Sequence, residues 1–403
     1  AGVPEPDADF RMEGDDPFGT RMPMKSVLPA TLLCALATPP DTAHAAFHCV
    51  RNHSELQQAL SAAAASAGDD EIRLREGAYT TFDGSFVYAS QNSGWLTISG
   101  GWYPQDGNDC AQMRMDASRT VLDGAGQHQV LRVVHSPPQG STPFAQFTVL
   151  NLSVRNGYGD PETFQRGGGL DMNSFSDGPA MFRLENVIVA NNDGYFGGGA
   201  NLYLKNGAAR IANALFDDNH ASTTANAHVA ITVNATEPGI EHAVVIAHAT
   251  FVRGRCAGAT ARGCGVRAGL GGGVHMDIVD SLFHDNEIAD LDLEGAAVIG
   301  LGDGTASAEW SLVGAVRGNL PLAAANMLQG NPRFVDAADG DFRLADDSPL
   351  INRGLATVPN GPVGVLDLDA LPRTRFGAPD PGPYENQTWD FLFADGFEQA
   401  AGS

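Results

Sequence analysis

Residues able to do chemistry fall into two main groups in this chain. The first is a set of polar side chains at one equivalent place between apolar neighbours: Asp171, Asn201, His228 and His275, with Asp292 as a fifth member. Side chains of an extended segment alternate between faces, so this set is expected to form an outward polar ladder. Alternation by itself, however, makes every outward position polar. The second group is basic. Arg253, Arg255, Arg262 and Arg267 lie between Thr250 and Met276, a stretch that contains no acidic residue and holds both Cys256 and Cys264. A guanidinium offers a planar fork suited to carboxylate or sulfate, so this loop is a candidate anion site. His275 follows closely, and a base beside a cation is what a lyase needs to act on an acidic sugar. Against this, arginine replaces lysine throughout, since Lys205 is the only lysine after residue 45.

Other chemistry is thinly represented. Asp336, Asp339 and Asp341 are candidate Ca²⁺ ligands, although their spacing is not that of an EF-hand loop. Asp217-Asp218 and Asp346-Asp347 read as solvated turns. No His-Glu-x-x-His, Gly-x-Ser-x-Gly or Walker loop occurs.

The elements that position these residues are repeats. Asn151-Leu-Ser-Val-Arg-Asn156 returns as Asn186-Val-Ile-Val-Ala-Asn191 and as Asn213-Ala-Leu-Phe-Asp-Asp-Asn219, with weaker copies from His248 and Asp280. Each is a short alternating strand closed by Asn or Asp, which tolerate a left-handed corner. Glycine triplets at 167–169, 197–199 and 271–273 each open a further alternating strand. One coil of two or three strands per repeat accounts for both units. The expected fold is all-β, a right-handed parallel β-helix of about eight to eleven coils spaced about 4.8 Å apart. Leu152, Val154, Val187, Val189, Phe216, Phe251 and Phe283 should point inward. Ser54-Glu-Leu-Gln57 fits a capping box, and Leu56, Ala59, Leu60 and Ala63 recur at helical spacing to about Ala67. A helix there suits an N-terminal cap, with the first strand following at 71–79.

Phe216 to Asn219, Phe283 to Asn286 and the Gly-Gly-[Ala/Leu/Val] units resemble the repeats of polymorphic outer-membrane-protein β-helices. Gly330-Asn-Pro-Arg-Phe-Val-Asp336, with Gly340–Leu344 and Ser348–Gly354, resembles the closing segment of bacterial choice-of-anchor Q proteins. The resemblance covers residues 72–354. It implies a pectate-lyase-like solenoid, export, and surface display or adhesion more often than a defined reaction. It also implies that a polar stripe on one face could hold sugar or metal. The Asn-Thr-Asp and Gly-His-Gly pieces of a polygalacturonase are absent, which leaves a paired-carboxylate glycosidase without a visible acid and base.

Met24-Lys25 followed by a short apolar run and Ala43-His44-Ala45 reads as an export signal over 24–45, preceded by an over-extended start at 1–23. The remaining organisation is expected as a cap over 46–72, the β-helix over 73–330, a closing segment over 331–384 and an aromatic, acidic tail over 385–403. Cleavage leaves Cys49, Cys110, Cys256 and Cys264. The short loop pairs Cys256 with Cys264, and elimination pairs Cys49 with Cys110. Cleavage also removes three basic and seven acidic residues, taking the net charge from −24 to −20. Such a charge disfavours nucleic acid as a partner, and it repels an acidic polysaccharide except at a local basic patch. The expected protein is a secreted or surface-held monomer, without a transmembrane segment, that binds glycan or another cell surface. A lyase or hydrolase acting on an acidic polysaccharide is the alternative.

Overall fold

The structure, a computed structural model, describes residues 46–222, 228–257, 263–295, 302–355, 357 and 364–388. Those residues form a right-handed parallel β-helix with three faces. Ten strands stack in parallel along face 1, within the expected range of coils. Several of them, such as Ala145–Arg155, Ala180–Ala190 and Gly207–Asp217, bend midway and continue into face 2. Eight strands from Phe86–Ser90 to Val316–Gly318 form face 3.

The bends fall where the repeats begin. Asn151, Asn186, Asn213, His248 and Asp280 all adopt positive φ between 47° and 56°. Their side chains satisfy one another along the stack: the Asn186 amide donates to Asn151 Oδ1 at 2.6 Å, and the Asn213 amide to Asn186 Oδ1 at 2.7 Å. Buried amides paired in this way avoid the penalty of an unsatisfied polar group at each corner. Gly167, at φ +57°, shows why glycine opens the next strand, since a Cβ there would lie 2.0 Å from the Leu170 carbonyl oxygen.

The interior is a stack of like on like. All seven residues expected inside are at most 2% exposed. Phe216, Phe251 and Phe283 stack face to face, with centroids 4.9 and 4.7 Å apart. The N-terminal end is closed by the helix His53–Ala65, which buries Leu56, Ala59, Leu60 and Ala63. Its cap is Asn52, not the expected Ser54. Asn52 Oδ1 accepts from the Glu55 amide, and Glu55 reaches back to the Arg51 amide. The first strand also differs: Ala46–Val50 precedes the helix and pairs with Asp70–Arg75. That pairing puts Cys49 in the first coil, where it bonds Cys110; Cys256 bonds Cys264.

The outside of face 2 is apolar and is covered by the C-terminal stretch. Leu215 and Val252 pack with Phe342 and Leu368, and Leu282 packs with Leu344, Leu350 and Ile351. The proposed export signal and the tail from Trp389 lie outside the described residues. Among the described residues no helix is long and apolar enough to cross a membrane, which says nothing of β-barrels.

Candidate functional site

The register of face 3 defines one outward column. Successive strands align Val87, Arg132, Asp171, Asn201, Ala230, Arg267, Asp292 and Arg317. Asp171, Asn201 and Asp292 of the expected ladder are therefore brought together. Arg267 joins them from the supposed arginine loop.

Within the column the carboxylates are held below the arginines. Asp171 Oδ1 accepts from the side-chain amides of Asn173 and Asn201, both at 2.9 Å. Its Oδ2 lies 3.7 Å from Arg132 Nε, and Asp292 Oδ2 lies 3.7 Å from Arg267 Nε. The Asp171 and Asp292 side chains are 10% and 1% exposed, against 52% and 31% for Arg132 and Arg267. Arg317 is also exposed. Burial raises the Asp171 carboxyl above its usual range, opposed by the two amide bonds and by Arg132 and Arg166. Beside the column, Phe196 has the Arg267 guanidinium 5.2 Å from its ring centroid and that of Arg166 at 5.9 Å. Exposed Phe175 packs on Tyr203 in the next outward row of the same face.

The two histidines do not belong to the column. The third glycine triplet misleads, because it turns the chain into face 1 rather than face 3. His275 accordingly pairs with Ala243 and Thr305 on face 1, away from the arginines of the column. His228 precedes Val229, so it stands level with Gly199, at the end of the strand. Its Nδ1 and Nε2 meet the Asn219 amide at 3.1 Å and Asn286 Oδ1 at 2.9 Å. A Cβ on Gly254 would lie 2.7 Å from this ring. The imidazole thus fills the place that an asparagine occupies in neighbouring coils, and complete burial lowers it to about 4.

The arginines also separate. Arg253 forms a bidentate pair with Asp217 at 2.6 and 2.7 Å, donates to the Ala337 carbonyl and lies over Phe342, tying the C-terminal stretch to face 2. Arg255 lies near Asp218 and Glu287. These acids come from neighbouring coils, which a linear search for acidic residues could not register. Arg262 lies outside the described residues.

The aspartates considered for Ca²⁺ do not converge as free donors. Asp341 holds Arg343 through both oxygens, while Asp336 Oδ1 accepts from the Asp339 amide. Among the described residues no group of three or more His, Cys, Asp or Glu side chains is arranged for a metal ion. Arg132, Arg166, Arg317 and Phe196 were not singled out from sequence. Arg132 lies in a strand with no glycine triplet before it, so nothing local marks its register.

No family model matches the chain, and no curated protein does. Among solved structures it is similar to pectate lyase Pel9A, at 14% identity over 81% of this chain and 90% of that one, with a TM-score of 0.40. It is also similar to the pectin methylesterase from Aspergillus niger in a penultimately deglycosylated form, at 14% identity over 70% and 90% of the two chains, with a TM-score of 0.28. Both scores are below 0.5, and the β-helix assignment stands on the strand pairing of this chain.

Proposed function

We propose that this is an exported β-helix protein whose face 3 binds an acidic glycan without altering it. The observation that carries the reading is the vertical sorting of charge in the Arg132–Arg317 column, with arginines outside and carboxylates beneath. A ligand approaching a cleaved chain of net charge −20 therefore meets guanidinium forks at this face, each able to bind a carboxylate through two parallel bonds. Phe175, Tyr203 and Phe196 add apolar surface for the faces of sugar rings. The two disulfides support an oxidising compartment.

The test is a binding isotherm of the exported protein with a uronate-rich polysaccharide. Replacing Arg132, Arg267 and Arg317 with Ala should weaken binding by at least tenfold, and wild-type binding should decline as salt rises. Unchanged affinity in the triple variant would rule out face 3. Mass analysis of the same preparation should find the N-terminus near Ala46; an intact residue 1 would overturn the export reading.

A further inference from the structure

We propose that Thr305, His275 and Asp277 form an esterase centre on face 1, on the strands next to a groove, acting on a short-chain carboxylic ester. The proposal is independent of glycan binding at face 3. Its basis is a chain of hydrogen bonds between a hydroxyl, an imidazole and a carboxylate on adjacent parallel strands. His275 pairs in register with Thr305, and Asp277 with Ser307. The His275 ring lies between them: Nδ1 is 2.7 Å from Thr305 Oγ1 and Nε2 is 2.8 Å from Asp277 Oδ1. Ser307 Oγ donates to the same Asp277 oxygen at 2.7 Å.

An ionised carboxylate only accepts hydrogen bonds, so Asp277 fixes the imidazole proton on Nε2. Nδ1 is then left with a lone pair directed at the Thr305 hydroxyl, the arrangement of an activated nucleophile, its base and the group that orients the base. Thr305 is β-branched and therefore restricted at χ1, which limits the positions of its hydroxyl. Thr305 and His275 are exposed and open to a substrate.

The same strands provide a place for the acyl group. Ala243 and Val245, the register partners of His275 and Asp277, line a groove of about 580 Å³. Its other walls include Ala208, Met181, Ile240 and Phe144, together with the charged Arg183, Arg210 and Glu241. Small alanines on the strand beside His275 leave room for a short apolar acyl chain.

The reaction closes in two steps. Thr305 Oγ1 attacks the ester carbonyl carbon while its proton passes to His275 Nδ1. The carbon–alkoxy bond breaks, and the departing alcohol takes that proton. Water, deprotonated by His275 Nδ1, then attacks the acyl-threonine. The acyl–oxygen bond breaks, and the proton returns to Thr305 as the carboxylic acid is released.

The test uses p-nitrophenyl butyrate with the exported protein, reading hydrolysis above the buffer rate. T305V and H275Q should each reduce kcat/KM by about 10²–10⁴-fold, and T305S should restore activity. Acid quenching should recover a butyryl group on the Thr305 peptide. D277N, a change at a positioning residue, should lower kcat with KM little changed, because the imidazole proton is no longer fixed on Nε2. Far-UV circular dichroism checks that each variant is folded. No hydrolysis by the parent, hydrolysis undiminished in folded T305V or H275Q, or no acyl group on Thr305 would overturn the proposal.

Discussion

At the scale of single residues, His228 shows how a functional reading and a structural one separate. Its sequence setting, polar between apolar neighbours, is the same as that of Asp171, yet it ends in the core beside Phe216 and Phe251. Removing it should leave Asn219 and Asn286 without their shared partner and open a gap over Gly254. His228→Ala is expected to cost about 2–4 kcal/mol, measured by urea unfolding at pH 7. The pH dependence has a definite sign. A buried imidazole held near 4, below its ordinary 6.5, stabilises the fold above the unfolded value and loses that contribution as pH falls from about 6.5 towards 4. The gap between wild type and variant should therefore narrow over this range; a gap that stays constant would mean that the imidazole is not the buried neutral group described.

Among the elements, the coils were more legible than their ends. Period-two apolar runs closed by Asn or Asp identified the inward ladders from Leu152 to Phe283, because the left-handed corner and the buried stripe both constrain residue type. Glycine triplets carry less information. Gly167–Gly169 and Gly197–Gly199 lead into face 3 while Gly271–Gly273 leads into face 1, and only strand pairing distinguishes them. The means by which the C-terminal stretch attaches to the coils was not legible. Arg373, 4% exposed, donates to the carbonyls of Gly382 and Pro383 and to Asn213 at the corner of face 1. Asp280, Asp367, Asp380 and Glu385 surround it, and His248 lies 3.3 Å from Asp280. Burial raises Asp280 and Glu385 to about 7 and Asp380 to about 6. Carboxyls raised on folding stabilise at low pH and lose that contribution as pH rises through 6 to 7. Buried His248 is shifted well down and acts with the opposite sign, so a difference between variants is the useful measurement. The C-terminal stretch should become more susceptible to limited proteolysis between pH 5 and 8, and D380N/E385Q should flatten that rise. Equal dependence in both proteins would place the titrating groups elsewhere.

For the molecule as a whole, the solenoid presents faces of different character to solvent. Face 2 is covered by its own chain, face 1 carries the groove with His275 on the next strand, and face 3 carries the charged column. Net charge pointed to a protein that repels polyanions, and it gave no view of how charge is sorted by depth within a column. That sorting depends on residues about thirty to forty positions apart, such as Arg132, Asp171 and Asn201, meeting in register. The measurement that tests it most directly is hydroxyl-radical footprinting of the purified protein with and without a uronate-rich polysaccharide. Binding at face 3 predicts reduced oxidation of Phe175, Phe196 and Tyr203 with Trp95 and Phe144 unchanged. Protection of Trp95 and Phe144 with face 3 unchanged, or no protection at any of the five, would contradict the account.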